Sequence, residues 1–185
     1  MLSPIDFVAR WGSDQLVCFP ANAVDRLPLL AEDKAFLVHA GLPADAAPFL
    51  SFDAPKSTEL PTVADQYGVS AEFRRYRVVG SDGSGNPIAV DEQSQGEVVC
   101  LNHENRFARV LMNTSLRQMA ESLLAYRKLV KDTQAEFGPD AFLDGKTSPA
   151  ARKNLRDELA RIDPAAVTPG TFWYGELQNL EANAV

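Results

Sequence analysis

The residues best placed to do chemistry lie between Tyr76 and Leu124, and the first of them are Asp82-Gly83-Ser84-Gly85-Asn86. Acids around a glycine suggest a calcium loop of the EF-hand type. The register opposes it. With Gly85 at the sixth position, the first ligand position falls on Gly80, the eighth on Pro87 and the twelfth on Asp91, and a strand pattern follows where a helix should. A phosphate cradle fails on similar grounds, because Gly80, Gly83 and Gly85 match neither the Walker nor the dinucleotide spacing and no lysine follows. The remaining reading is a hairpin turn. Cys100 and His103 form a lone C-x-x-H, and a complete zinc site would need both histidines and both cysteines of the chain or borrowed carboxylates. A buried strand cysteine beside a turn histidine accounts for the pair more simply, although a hydrolase or metal enzyme using Cys100 and His103 is the one catalytic alternative it offers.

The other candidates are also accounted for locally. His39 falls at the end of a helical pattern, where an imidazole can meet the last carbonyls. Asp91 and Glu92 are adjacent on a strand and so alternate faces, which prevents them from flanking one bond as a glycosidase pair does. Trp11 and Trp173 have apolar neighbours at helical spacing and read as core. These residues give no catalytic constellation, no metal site and no cofactor.

The elements that position them follow from periodicity. Ser3-Pro4 starts a helix that Gly12 ends, with Ile5, Val8 and Trp11 on one face. Leu16 to Phe19 is a short strand or an apolar plug, Pro28 to Ala40 a helix stopped by Gly41, and Pro48 to Phe52 a strand. Thr62 caps a short turn ending at Gly68. Phe73 to Val79, Pro87 to Val90, Glu97 to Leu101 and Phe107 to Met112 are four strands whose short connections predict an antiparallel meander. From Thr114 the period changes: Leu116, Met119, Ala120, Leu123, Leu124 and Val130 line one face of a helix that crosses the sheet and ends before Gly138. Two further helices start at Ser148-Pro149 and after Pro169-Gly170. The prediction is one α+β domain over residues 1–185, without repeats.

Composition sets the function classes. The chain has 185 residues, 45% of them hydrophobic and 23% charged, a net charge of −7 and a pI near 4.8. That balance opposes sequence-independent nucleic-acid binding, which needs clustered Lys and Arg, and suits a basic protein partner. The N-terminal residues carry acid early and have no unbroken apolar run, so neither a secretory signal nor a membrane span is expected, and a cytoplasmic location follows. Cys18 and Cys100 each sit in an apolar run, where reduced, packed thiols are expected.

The order of these elements resembles the SUKH superfamily of bacterial immunity proteins, and most closely its fourth subgroup. The resemblance runs through Phe36-Leu37 with Gly41-Leu42-Pro43, and through Val79 to Gly83 with Gly85-Asn86-Pro87-Ile88. It continues through Gly96 to Val99 and Asn113-Thr114-Ser115-Leu116, and ends on Phe172-Trp173 with Glu176-Leu177. It implies a mixed, largely antiparallel sheet backed by helices, no catalytic residues, and a non-enzymatic antidote that binds a cognate toxin of nuclease or deaminase type. The superfamily's eukaryotic relatives imply the alternative, a regulatory or scaffolding module. An acidic antidote would steer a cationic toxin with surface carboxylates. Those near the meander are Asp82, Asp91, Glu92, Glu97 and Glu104. The sequence specifies no oligomeric state.

Overall fold

The computed structural model describes residues 2–184. Ser3 Oγ accepts the Asp6 N–H at 3.1 Å and Pro4 occupies the first turn of α1 (Pro4–Trp11), which buries Phe7 and Trp11. The Leu16 to Phe19 run is both things expected of it. Leu16–Val17 is β1, paired antiparallel with β2 (Leu42–Pro43), while Phe19 plugs the core. Alternation along this run turns Cys18 outward, so its thiol is exposed and not packed as expected. Between the two strands lie α2 (Ala21–Val24) and α3 (Ala31–His39). Gly41 has φ of +73°, and a Cβ there would stand 2.2 Å from the Val17 carbonyl oxygen, so only glycine lets β2 approach β1 this closely.

A six-stranded sheet follows in strict chain order: β3 (Asp45–Ala46), β4 (Leu50–Phe52), β5 (Tyr76–Asp82), β6 (Pro87–Asp91), β7 (Glu97–Asn102) and β8 (Ala108–Asn113). Every described pair is antiparallel, so the parallel component of a mixed sheet is not seen among the described residues. The predicted meander is β5 to β8. Phe73 lies outside it, in a 3-10 turn over Ala71–Arg75, and Phe107 has a left-handed φ of +58° just before β8.

Strand alternation divides the apolar residues between two faces. Val79, Ile88, Val90, Val98, Cys100 and Met112 join the larger core, and Tyr76, Val78, Ala89, Val99 and Leu101 the smaller one. Alternation alone puts Val78 and Val79 on opposite sides, and a bulge between Val78 and Gly80 shifts the register of β5 against β6. The smaller core is closed by α4 (Val63–Tyr67) with Phe73 and Phe107. The larger is covered by α1, α3 and three later helices: α5 (Leu116–Phe137), α6 (Pro149–Ile162) and α7 (Phe172–Ala182). No helix among the described residues is long and apolar enough to cross a membrane.

One buried polar junction ties this helical layer to the sheet. Asn113, at the end of β8, donates from Nδ2 to Ser122 Oγ and to Asp163 Oδ2, both at 3.2 Å, and accepts the Trp173 indole N–H at 2.8 Å. Asp163 Oδ2 also accepts the Thr114 N–H at 2.7 Å and the Thr114 hydroxyl at 3.1 Å. Asp163→Ala would leave the Thr114 N–H and one Asn113 donor without an acceptor. At about 1–3 kcal/mol for each unsatisfied buried group, this variant should lose about 3 kcal/mol in urea unfolding. Ile5→Ala, at a solvent-exposed position, should stay within about 0.5 kcal/mol.

Candidate functional site

The Asp82 to Asn86 segment is the hairpin between β5 and β6. Asp82 Oδ1 accepts the N–H groups of Ser84 and Asn86, both at 2.9 Å, and Oδ2 accepts from Asn86 Nδ2 at 2.9 Å. Gly85 supplies φ of +82°. Asn86 Oδ1 in turn accepts the His103 backbone N–H at 2.9 Å and lies 2.7 Å from its Nδ1. The Cys100 thiol faces Asp82 Oδ2 at 3.7 Å. Burial, with the Asp82 charge beside it, pushes that thiol up to about 12, so it remains protonated at neutral pH and is a poor nucleophile. Cys100 and His103 are thus both engaged in bracing the hairpin. Among the described residues, no group of three His, Cys, Asp or Glu side chains is placed to hold a metal ion.

The five acids singled out from the sequence do not form one cluster. Tyr76 pairs with Asp91 and Asp91 with Glu97, whereas Asp82 lies at the far end of the seven-residue β5. A strand rises about 3.3 Å per residue, which separates the two ends by roughly 20 Å. Asp82 and the exposed Glu104 belong to one end; Asp91, Glu92 and Glu97 belong to the other. Asp91 is fully buried, accepts from Arg75 Nη2 at 2.7 Å and lies 3.5 Å from Arg109 Nε. Arg109 also pairs with Glu97, and Arg77 with Glu92 at 2.9 Å. These arginines were missed in the sequence. The usable signal was the hairpin itself, since the start of one strand faces the end of the next and so sets Arg75 and Arg77 against Asp91 and Glu92.

Two clefts open on the helical layer. One, of about 550 Å³, runs between α5 and α6 over Leu124, Leu129 and Leu155, and its rim carries both charge signs, Arg10 and Arg161 with Glu121 and Glu158. The other, of about 500 Å³, lies where Pro48 and Phe49 of the β3–β4 connection face α7 and the loop following α5. Phe49, Leu143 and Glu176 lie on it, none of them a candidate from the sequence.

A family model described as SUKH-4 immunity protein matches residues 6–179. No curated protein and no solved structure matches the chain.

Two measurements check this geometry. Iodoacetamide should modify Cys18 alone in the native protein, and Cys100 only after unfolding; rapid native modification of Cys100 would contradict its buried, protonated state. Asp91→Ala removes the buried carboxylate shared by Arg75 and Arg109, which stay partly solvated and keep Gln93 and Glu97, and should cost about 1–3 kcal/mol in chemical denaturation.

Proposed function

The chain belongs to the SUKH-4 immunity protein family, and we propose from this that it is a non-enzymatic antidote that binds and neutralises a cognate bacterial toxin in the cytoplasm. The match over residues 6–179 carries the reading. The toxin is of the nuclease or deaminase class and basic, and the chain acts on it as one domain over residues 1–185. Nucleases and deaminases work on polyanions, so their substrate grooves tend to be cationic, and a protein of net charge −7 complements such a surface. Neutralisation then needs no chemistry of its own. Covering the groove excludes the substrate.

The acids contribute according to their exposure. Glu104 is exposed and makes no ion pair among the described residues, while Glu92 and Glu97 are half-buried beside their arginines. Glu104 and Asp82 therefore supply most of the negative field, and Glu92 and Glu97, offset by Arg77 and Arg109, add hydrogen-bonding edges more than net charge. Asp91 contributes by fixing Arg75 and Arg109, because it has no surface of its own.

Co-expression with the toxin encoded by the neighbouring gene tests the reading. Growth should be restored and the two proteins should co-purify. Cell death without association would overturn the antidote role and favour the scaffolding alternative. If surface carboxylates steer the encounter, Glu104→Lys should slow association several-fold at low salt, an effect that should fade towards 0.5 M salt as screening shortens below about 5 Å.

A further inference from the structure

Phe49 stands in the β3–β4 connection with φ of +58°, a left-handed backbone that a bulky aromatic rarely adopts. Its Cβ lies 3.0 Å from where a Cβ on Gly83 would be, so the absence of a side chain at Gly83 makes room for it against the β5–β6 hairpin. The ring itself does not enter the core: Phe49 is 76% exposed, and Leu143, which lines the same cleft, is 75% exposed. Phe142 and Leu180 extend the apolar lining.

The charged groups lining this cleft are Asp144 and Glu176, with no lysine or arginine among the lining residues. Asp144 has Lys146 at 2.9 Å. Glu176 has no ion pair among the described residues, only a hydrogen bond from Asn179 Nδ2 to Oε1 at 3.3 Å. Burial raises the pKa of the Glu176 carboxyl, the Asn179 bond opposes this, and the Asp82 charge adds to it. A carboxylate partly withdrawn from water, close to a second acid and without a cation, is stabilised by a basic group brought to it. Apolar walls beside that carboxylate suit a long side chain that is greasy along its stem and charged at its tip. Arginine fits better than lysine, because its planar guanidinium can engage a carboxylate with two N–H groups and lie on an aromatic face such as Phe49.

We propose that this cleft is the contact surface for the basic protein partner, receiving an arginine side chain of that partner along Phe49 and Leu143 with its guanidinium on Glu176. The identity of the partner as the toxin rests on the antidote reading; the chemistry of the cleft does not. The remaining partner surface would extend over the Asp82 hairpin, whose charge already reaches Glu176.

The test is an NMR titration of the purified full chain with the peptide acetyl-Leu-Arg-Leu-amide, and with its citrulline counterpart, which keeps the shape and lacks the charge. Saturable shifts should map to Phe49, Leu143 and Glu176. Binding should be roughly tenfold weaker for the citrulline peptide, and for the arginine peptide with Glu176→Gln or Phe49→Ser. The Phe49 change is at an exposed position, and retained spectral dispersion would show that both variants fold. Equal binding of the two peptides, shifts that map elsewhere, or no saturable shift would each overturn the proposal. The same variants measured against the neighbouring gene's toxin separate the two ideas. Unchanged toxin affinity in Glu176→Gln and Phe49→Ser would overturn the cleft as the contact surface while leaving the antidote role intact. Peptide binding as expected with no toxin association would overturn the antidote role and leave the arginine site standing.

Discussion

The buried junction of Asn113, Asp163 and Trp173 is the constraint on which the arrangement of this protein depends. A primary amide in the core must satisfy two donors and an acceptor, and Asn113 does so with Ser122, Asp163 and Trp173, residues of α5, the end of α6 and α7. Each partner comes from a different element, so the amide cannot be satisfied unless all are docked together. The fixed position of Trp173 has a further consequence. Its ring packs 5.9 Å from Tyr126 and at right angles to Phe172, while Leu177 continues the inward face of α7. Glu176, three residues after Trp173, is thereby held on the shoulder of the helix beside Tyr126, at the cleft that Phe49 overlooks.

The sheet imposes a second order on the acids. Asp82 and Asp91 each open a turn, and each accepts the backbone N–H two residues on, at 2.9 and 3.0 Å respectively. Their side chains shape the hairpins before they contribute any field. Asp91 is enclosed by Arg75 and Arg109, but Asp82 remains close enough to the helical layer to influence Glu176. Two aspartates with the same local task therefore differ in what they offer to a partner, and burial is what separates them.

Much of this was legible in the sequence. Period-two alternation through residues 76–112 produced the meander, Asp82-Gly83 announced its first turn, and three-four spacing after Thr114 placed α5 across the sheet with Leu116, Met119, Ala120, Leu123 and Leu124 buried. The resemblance carried Asn113-Thr114 and Phe172-Trp173 as motifs, but not the reason for them, because Asn113 and Trp173 meet across 60 residues of chain. Phe73 and Phe107 continued the strand pattern on paper. In the folded chain their rings pack 5.4 Å apart, outside the ladder, and cap the smaller core, a tertiary contact that overrides β propensity. The cleft was invisible for a related reason. Pro48-Phe49, Tyr126, Phe142 to Gly145 and the α7 residues Glu176, Asn179 and Leu180 have no common period, and only the docking of α7 and the β3–β4 connection brings them to one place.

Range decides how such a surface can work. Exposed charges in water are screened beyond about 8 Å at physiological salt. Asp82 and Glu104, with no ion pair among the described residues, would therefore act on the approach of a partner more than Glu92 and Glu97, whose charges Arg77 and Arg109 offset at the other end of the sheet, roughly 20 Å from Asp82. Glu176 has the opposite character. Partly withdrawn from water, it gives little field at a distance, but its attraction grows once a partner excludes the remaining solvent. In a complex formed at this cleft, a diffuse acidic surface would accelerate encounter and a local carboxylate between apolar walls would resist dissociation, dividing association rate from residence time. If the cleft is the proposed contact surface, surface acids can vary with little loss of binding while the cleft must match the one side chain it receives. Discrimination among similar basic partners would then lie in the shape set by Phe49 and Leu143 and in the position of Glu176, not in the net charge.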